Sequence, residues 1–140
     1  MSLPITLFYA GFFAIFALVL SFRAGIYRGK AKASILYGEP ISWELAERVR
    51  VHQNFLEYVP LMLIMMGLIE ANDGPDMFLY VTGDLLILAR IAHAIGLKHD
   101  DMSNKWRAVG AGGTALITLA TAGYALWTST PAIIARFSGS

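Results

Sequence analysis

The sequence predicts an all-α integral membrane protein, a bundle of four transmembrane helices in one domain. Hydrophobic residues make up 56% of the 140-residue chain and charged residues only 15%, with a mean hydropathy of +0.57. Soluble domains carry about 25% charge. Two runs, Leu3–Phe22 and Ala108–Trp127, hold no charged residue at all, and each has the length of about 20 residues that a helix needs to cross the hydrocarbon core.

The first uncharged run anchors a helix over residues 3–28. It has no basic residue before it and no small-residue cleavage pattern after it, so it reads as a retained helix and not a secretory signal. A second helix is expected over 42–71, where Val51–Ile69 is Leu-, Met-, Ile- and Val-rich apart from His52, Gln53, Asn54 and Glu57. A third, over 76–98, carries Asp84, Arg90 and His93 within an otherwise apolar stretch. The fourth runs over 105–128. Turn-forming compositions separate them: Tyr37-Gly38-Glu39-Pro40, Asn72-Asp73-Gly74-Pro75 and His99–Asn104. No repeat or linker divides the chain, so residues 1–140 form a single domain.

The net charge is only +1, which gives no electrostatic basis for a nucleic-acid partner. The chain has no cysteine, which excludes disulfides, thiolate metal sites and a cysteine nucleophile. No metal site is expected, and any thiol chemistry must use a thiol brought by a ligand. Lys and Arg concentrate in two connections. Arg23, Arg28, Lys30, Lys32, Arg48 and Arg50 flank the first turn; Lys98, Lys105 and Arg107 flank the third. The middle turn has Glu70, Asp73 and Asp76 and no base. By the positive-inside rule the basic loops face the cytoplasm and both termini lie outside.

Ionisable residues inside membrane helices are costly and generally face a bundle interior or a watery cavity. Arg50, Asn54 and Glu57 recur at i, i+4 and i+7, so one face of the second helix presents a cation, an amide and a carboxylate. Arg90 and His93 are spaced i, i+3 near the inner end of the third helix, and Arg107 starts the fourth. The expected topology brings these clusters to one level, where Arg28 would join them. Four cations and Glu57 suit a small polyanionic ligand entering from the cytosol, beside a lipid-facing cleft for an apolar partner. A plainer reading makes Arg50 and Arg107 membrane anchors, Glu57–Arg90 an interhelical pair and His93 a donor to a backbone carbonyl. Asp84 is expected to bond a neighbouring helix without functional consequence. The Phe8, Phe12, Phe16 stripe and Met62, Met65 and Met66 read as packing, and Trp43, Tyr124 and Trp127 as interface-belt residues. Gly110, Gly112, Gly113 and Gly123 favour close helix approach or oligomerisation.

The segment from Glu47-Arg48-Val49-Arg50 through His52-Gln53-Asn54 to Glu57-Tyr58-Val59-Pro60 closely resembles the second-helix signature of the MAPEG family, membrane-associated proteins in eicosanoid and glutathione metabolism. Arg90-Ile91-Ala92-His93-Ala94-Ile95-Gly96 resembles its third-helix segment, and Arg107 with Gly110 the start of its fourth. The likeness covers nearly the whole chain and is nearest to short bacterial members of the microsomal glutathione transferase type. It implies a homotrimer, sited for members of this type in a bacterial inner membrane, with glutathione as co-substrate bound between subunits. Carried over by position, Arg50, His52, Asn54, Glu57 and Tyr58 would hold glutathione from the second helix and His93 from the third. Arg90 would support Glu57 through an ion pair. Arg28, or alternatively Arg23, would reach the neighbouring subunit's site. Arg107 would act at the thiol. One departure is Leu97, where family enzymes often carry tyrosine.

The resemblance therefore implies a glutathione-dependent transferase or peroxidase acting on lipophilic electrophiles. A non-catalytic lipid- or glutathione-binding scaffold of the same fold is the alternative that Leu97 keeps open. The residues also admit a proton-coupled exporter using Glu57, opposed by nearby arginines that hold a carboxylate charged, and a haem site using His52 and His93.

Overall fold

A computed structural model describes residues 2–139. Among them lie four α-helices and no strand: α1 (Pro4–Ala31), α2 (Trp43–Ala71), α3 (Asp76–Gly96) and α4 (Lys105–Ser138). All four are long and apolar enough to cross a membrane. Their outward faces carry large apolar side chains such as Leu7, Ile15, Leu68, Leu88 and Leu119, as a lipid-facing bundle requires. The chain folds as two close helix pairs, α1 against α2 and α3 against α4, with α2 also meeting α3 and α4.

Each helix start has a local cause. Pro4 opens α1, where its missing N–H costs nothing. The next two amides, Ile5 and Thr6, donate to the Glu70 carboxylate at 2.9 and 2.8 Å, so the end of α2 caps the start of α1. Ser42 caps α2 by accepting from the Leu45 amide. Asn104 caps α4, accepting from the Trp106 and Arg107 amides, and is itself held by donating to Asp101 at 3.0 Å. The hydrogen bonds from Asn104 and Ser103 hold the Asp101 carboxyl below the usual aspartate range.

Two helices outrun their expected ends. The fourth is expected to stop at 128. It continues to Ser138 because hydroxyl side chains fold back: Thr128 donates to the Tyr124 carbonyl at 2.9 Å and Thr130 to that of Leu126 at 2.6 Å. With 34 residues it spans about 50 Å, so it tilts or projects beyond the hydrocarbon. The first helix gains three residues over its expected end at 28 and closes at Lys32, whose left-handed conformation lets the Ala33 amide reach the Arg28 carbonyl. The third ends at Gly96, two residues early.

The main core lies between α1, α2 and α3, built on Tyr9, Phe13, Phe55, Met62, Met66, Leu79 and Leu86. Tyr9 donates to Asp84 at 2.7 Å, which accounts for that membrane carboxylate as a structural partner. A methyl group at Gly83 would overlap the Tyr9 ring. On the other seam, a methyl group at Gly110 would run into the His93 backbone, so the α3–α4 approach depends on that glycine. Gly112 and Gly123 meet nothing within 4 Å inside the chain.

Candidate functional site

The i, i+4, i+7 face of α2 forms as its spacing requires. Arg50 Nη1 donates to Glu57 Oε1 at 2.8 Å, and Asn54 Nδ2 donates to Glu57 Oε2 at 3.4 Å. Asn54 then links this face to the interior, its Oδ1 accepting from Arg90 Nη1 at 2.8 Å. Arg90 Nη2 donates onward to the Gly110 carbonyl at 3.2 Å and to the Thr114 hydroxyl. Thr114 in turn donates to the Gly110 carbonyl. One line of hydrogen bonds therefore runs from α2 through α3 into α4.

Its two ends differ in exposure. The Arg50 and Glu57 side chains are 52% and 48% exposed, whereas Arg90 is 3% exposed. The buried arginine fixes Asn54, and Asn54 with Arg50 fixes both oxygens of Glu57. The outcome is a carboxylate and a guanidinium held in place yet open on one side. Tyr58 stands beside them, its ring centroid 5.8 Å from the Arg90 guanidinium. His93 is buried one turn below Arg90, and the charges of Arg90, Arg107 and Arg50 all reach its imidazole. Its side chain makes no hydrogen bond among the described residues, so the carbonyl contact expected of it is absent. His52 is half-buried on α2.

Three of the expected site residues make other contacts within the chain. Arg90 does not pair with Glu57: its donors go to Asn54, Gly110 and Thr114, because α4 packs closer to it than the carboxylate does. Arg28 does not join the cluster within the chain. Its Nη1 donates to the Ser34 and Leu36 carbonyls at 3.4 and 3.2 Å, closing the α1–α2 connection. Arg107 lies within electrostatic reach of His93, but its Nη1 donates to the Met102 carbonyl and sulfur at 3.3 and 3.0 Å. Leu97 packs against the apolar core.

Two features escaped the sequence reading. Thr114 lies four residues after Gly110, a spacing that places hydroxyl and glycine on one face, and this was the available signal. The other is a latch at the basic end. Glu47, 5% exposed, accepts from the His99 amide at 3.0 Å, while its Oε1 lies 2.9 Å from His99 Nδ1 and its Oε2 3.4 Å from Lys98. Trp43 stacks on the His99 ring with planes 8° apart. Glu47, His99 and Asp100 bring potential metal-ligand atoms within 4.8 Å of one another, yet the Lys98 ammonium already neutralises Glu47 and disfavours a cation there. On the outer side of α3 and α4, Leu88, Ile91, Ile95, Trp106, Val109 and Leu116 line an apolar groove of about 520 Å³.

A four-helix membrane bundle with a polar line running from α2 to α4 defines the class of protein. The MAPEG family model matches residues 6–127, and the chain belongs to that family, one associated with eicosanoid and glutathione metabolism. Among its relatives are the inner membrane protein YecN of Escherichia coli strain K12 and its counterpart in Escherichia coli O6:H1. Each is 27% identical over 114 residues, covering 79% of this chain and 86% of the relative. No solved structure matches. Family and helices together make this a membrane protein.

Proposed function

We propose that the chain is a glutathione-dependent membrane transferase, with peroxidase activity toward lipid hydroperoxides, working as a homotrimer with its basic loops in the cytoplasm. The observation that carries this reading is the half-open Arg50–Glu57 pair, held by Asn54 and Arg90. Glutathione offers two carboxylates and an ammonium. Arg50 complements a carboxylate with two parallel N–H bonds, Glu57 complements the ammonium, and Tyr58, His52 and His93 complete the wall. Arg28 serves the site of a neighbouring copy. The groove between α3 and α4 receives the lipophilic partner.

Arg107 acts at the sulfur. A free thiol has a pKa near 8.5, so at neutral pH little is thiolate. A guanidinium at hydrogen-bonding distance favours the anion while staying charged itself, and the proton leaves to solvent. The thiolate then forms a C–S bond with an electrophilic carbon as the leaving group departs with its electron pair. With a hydroperoxide, sulfur attacks the outer oxygen, the O–O bond breaks, and the alkoxide takes a proton to become an alcohol. A second glutathione displaces hydroxide from the sulfenic acid to give the disulfide and water.

The test is a glutathione titration of detergent-purified protein, followed at the thiolate ultraviolet band. Wild type should give a saturable signal that Arg107→Ala abolishes, with turnover falling by about 100-fold or more, the scale of losing one charge-stabilising donor. Unchanged turnover in Arg107→Ala refutes the assigned role. A non-catalytic scaffold is the second reading, favoured by the Leu97 side chain in the core and by the contact of Arg107 with Met102. It predicts glutathione binding without a thiolate band and without conjugation across a broad electrophile panel.

A further inference from the structure

The α1–α2 seam at the basic end holds a second cationic site, distinct from the glutathione face. Tyr27 packs on the small cluster of Ala24, Leu45 and Val49. Lys30 Nζ lies 4.7 Å and Arg48 Cζ 5.4 Å from its ring centroid. Neither cation has a carboxylate within 4.0 Å among the described residues, and Arg48 makes no hydrogen bond there. Its Nε is buried without a partner. A guanidinium carries five donors, and buried donors are rarely left unmet. Arg48 and Arg50 are two residues apart, roughly 200° around the helix, so Arg48 turns away from Glu57.

We infer that Arg48, Lys30 and Tyr27 form the headgroup site of an anionic membrane phospholipid, with its phosphate on the Arg48 guanidinium. A phosphodiester offers the paired oxygens that a guanidinium binds bidentately. Arg23, Tyr27 and Lys30 fall at i, i+4, i+7 on α1, which adds a third base to the same face. Phe22 and Ile26, 70% and 59% exposed, stand beside this face toward the membrane interior, where acyl chains would lie. A zwitterionic headgroup brings its own cation toward Lys30, so the site selects lipids of net negative charge.

Native mass spectrometry of the full chain in detergent, offered equal phosphatidylglycerol and phosphatidylcholine, tests this. Wild type should retain phosphatidylglycerol preferentially. Lys30→Gln, on an exposed side chain, should weaken that retention about fivefold, the effect of one basic residue near an anionic headgroup, and Arg48→Gln should weaken it further. Millimolar inorganic phosphate should leave the lipid adduct in place. Equal retention of both lipids by wild type and Lys30→Gln overturns the proposal, as does displacement of the lipid by phosphate. A carboxylate of a second copy found on Arg48 overturns it too. The glutathione titration is read separately, so failure here leaves the other site untouched.

Discussion

The two ends of the bundle solve the same electrostatic problem in opposite ways. At the acidic end, between α2 and α3, Glu70 spends both oxygens on the first amides of α1, and the carboxylate is matched by the chain itself. At the basic end, cations outnumber their partners. Arg28 and Arg107 settle on loop carbonyls, Glu47 draws in Lys98 and His99, and the buried Nε of Arg48 has no partner. The Arg50–Glu57 pair is satisfied yet half open. Polar groups matched inside the chain hold the bundle together; the half-open Arg50–Glu57 pair and Arg48 are the candidates for holding a ligand.

The sharpest way to break that division is Arg90→Met. It removes a buried guanidinium that serves three groups on two helices, and should lower unfolding stability by about 3 kcal/mol, measured by circular dichroism in detergent. Arg50→Ala should act on the other side of the comparison. An exposed ion pair contributes less than about 1 kcal/mol to stability, so melting should barely move, while glutathione affinity should fall by about 30-fold, the effect of about 2 kcal/mol from a lost charged hydrogen bond. Equal losses in both assays would erase the distinction between scaffold and site. Glu70→Ala should cost about 1 kcal/mol through the uncapped α1, with no change in glutathione binding by titration. The smallest effect belongs to Asp101. Its carboxyl is held low by Asn104 and Ser103, so its support of the α4 cap is present above the ordinary aspartate pKa of about 3.9 and is lost as pH falls through the lower folded value. An Asp101→Asn variant should show a flatter acid limb in a pH series of melting curves.

The bundle was largely legible from the chain. Uncharged runs and turn compositions placed four helices, because membrane spans are set by length and polarity and those are local properties. The end of α4 was not legible, since hydroxyl residues that favour turns in water bond back to carbonyls within a helix, as Thr128 and Thr130 do. The α2 face was readable because Arg50, Asn54 and Glu57 share one helix and obey its period. The partner of Arg90 was not, because it depends on how closely α4 approaches, and Gly110 decides that distance. The loop contacts of Arg28 and Arg107 were likewise hidden, since spacing along a helix says nothing of where a long side chain folds back.

Glu70 lies 65 residues after Ile5, and that separation bears on how the protein is made. When α1 first emerges during synthesis, the carboxylate that closes its leading turn has not yet been translated. Those amides must rely on water until α2 has threaded back across the membrane and delivered Glu70. The finished amino-terminal turn is thus a product of the second crossing, and a chain halted before Glu70 would carry an inserted but unsealed first helix.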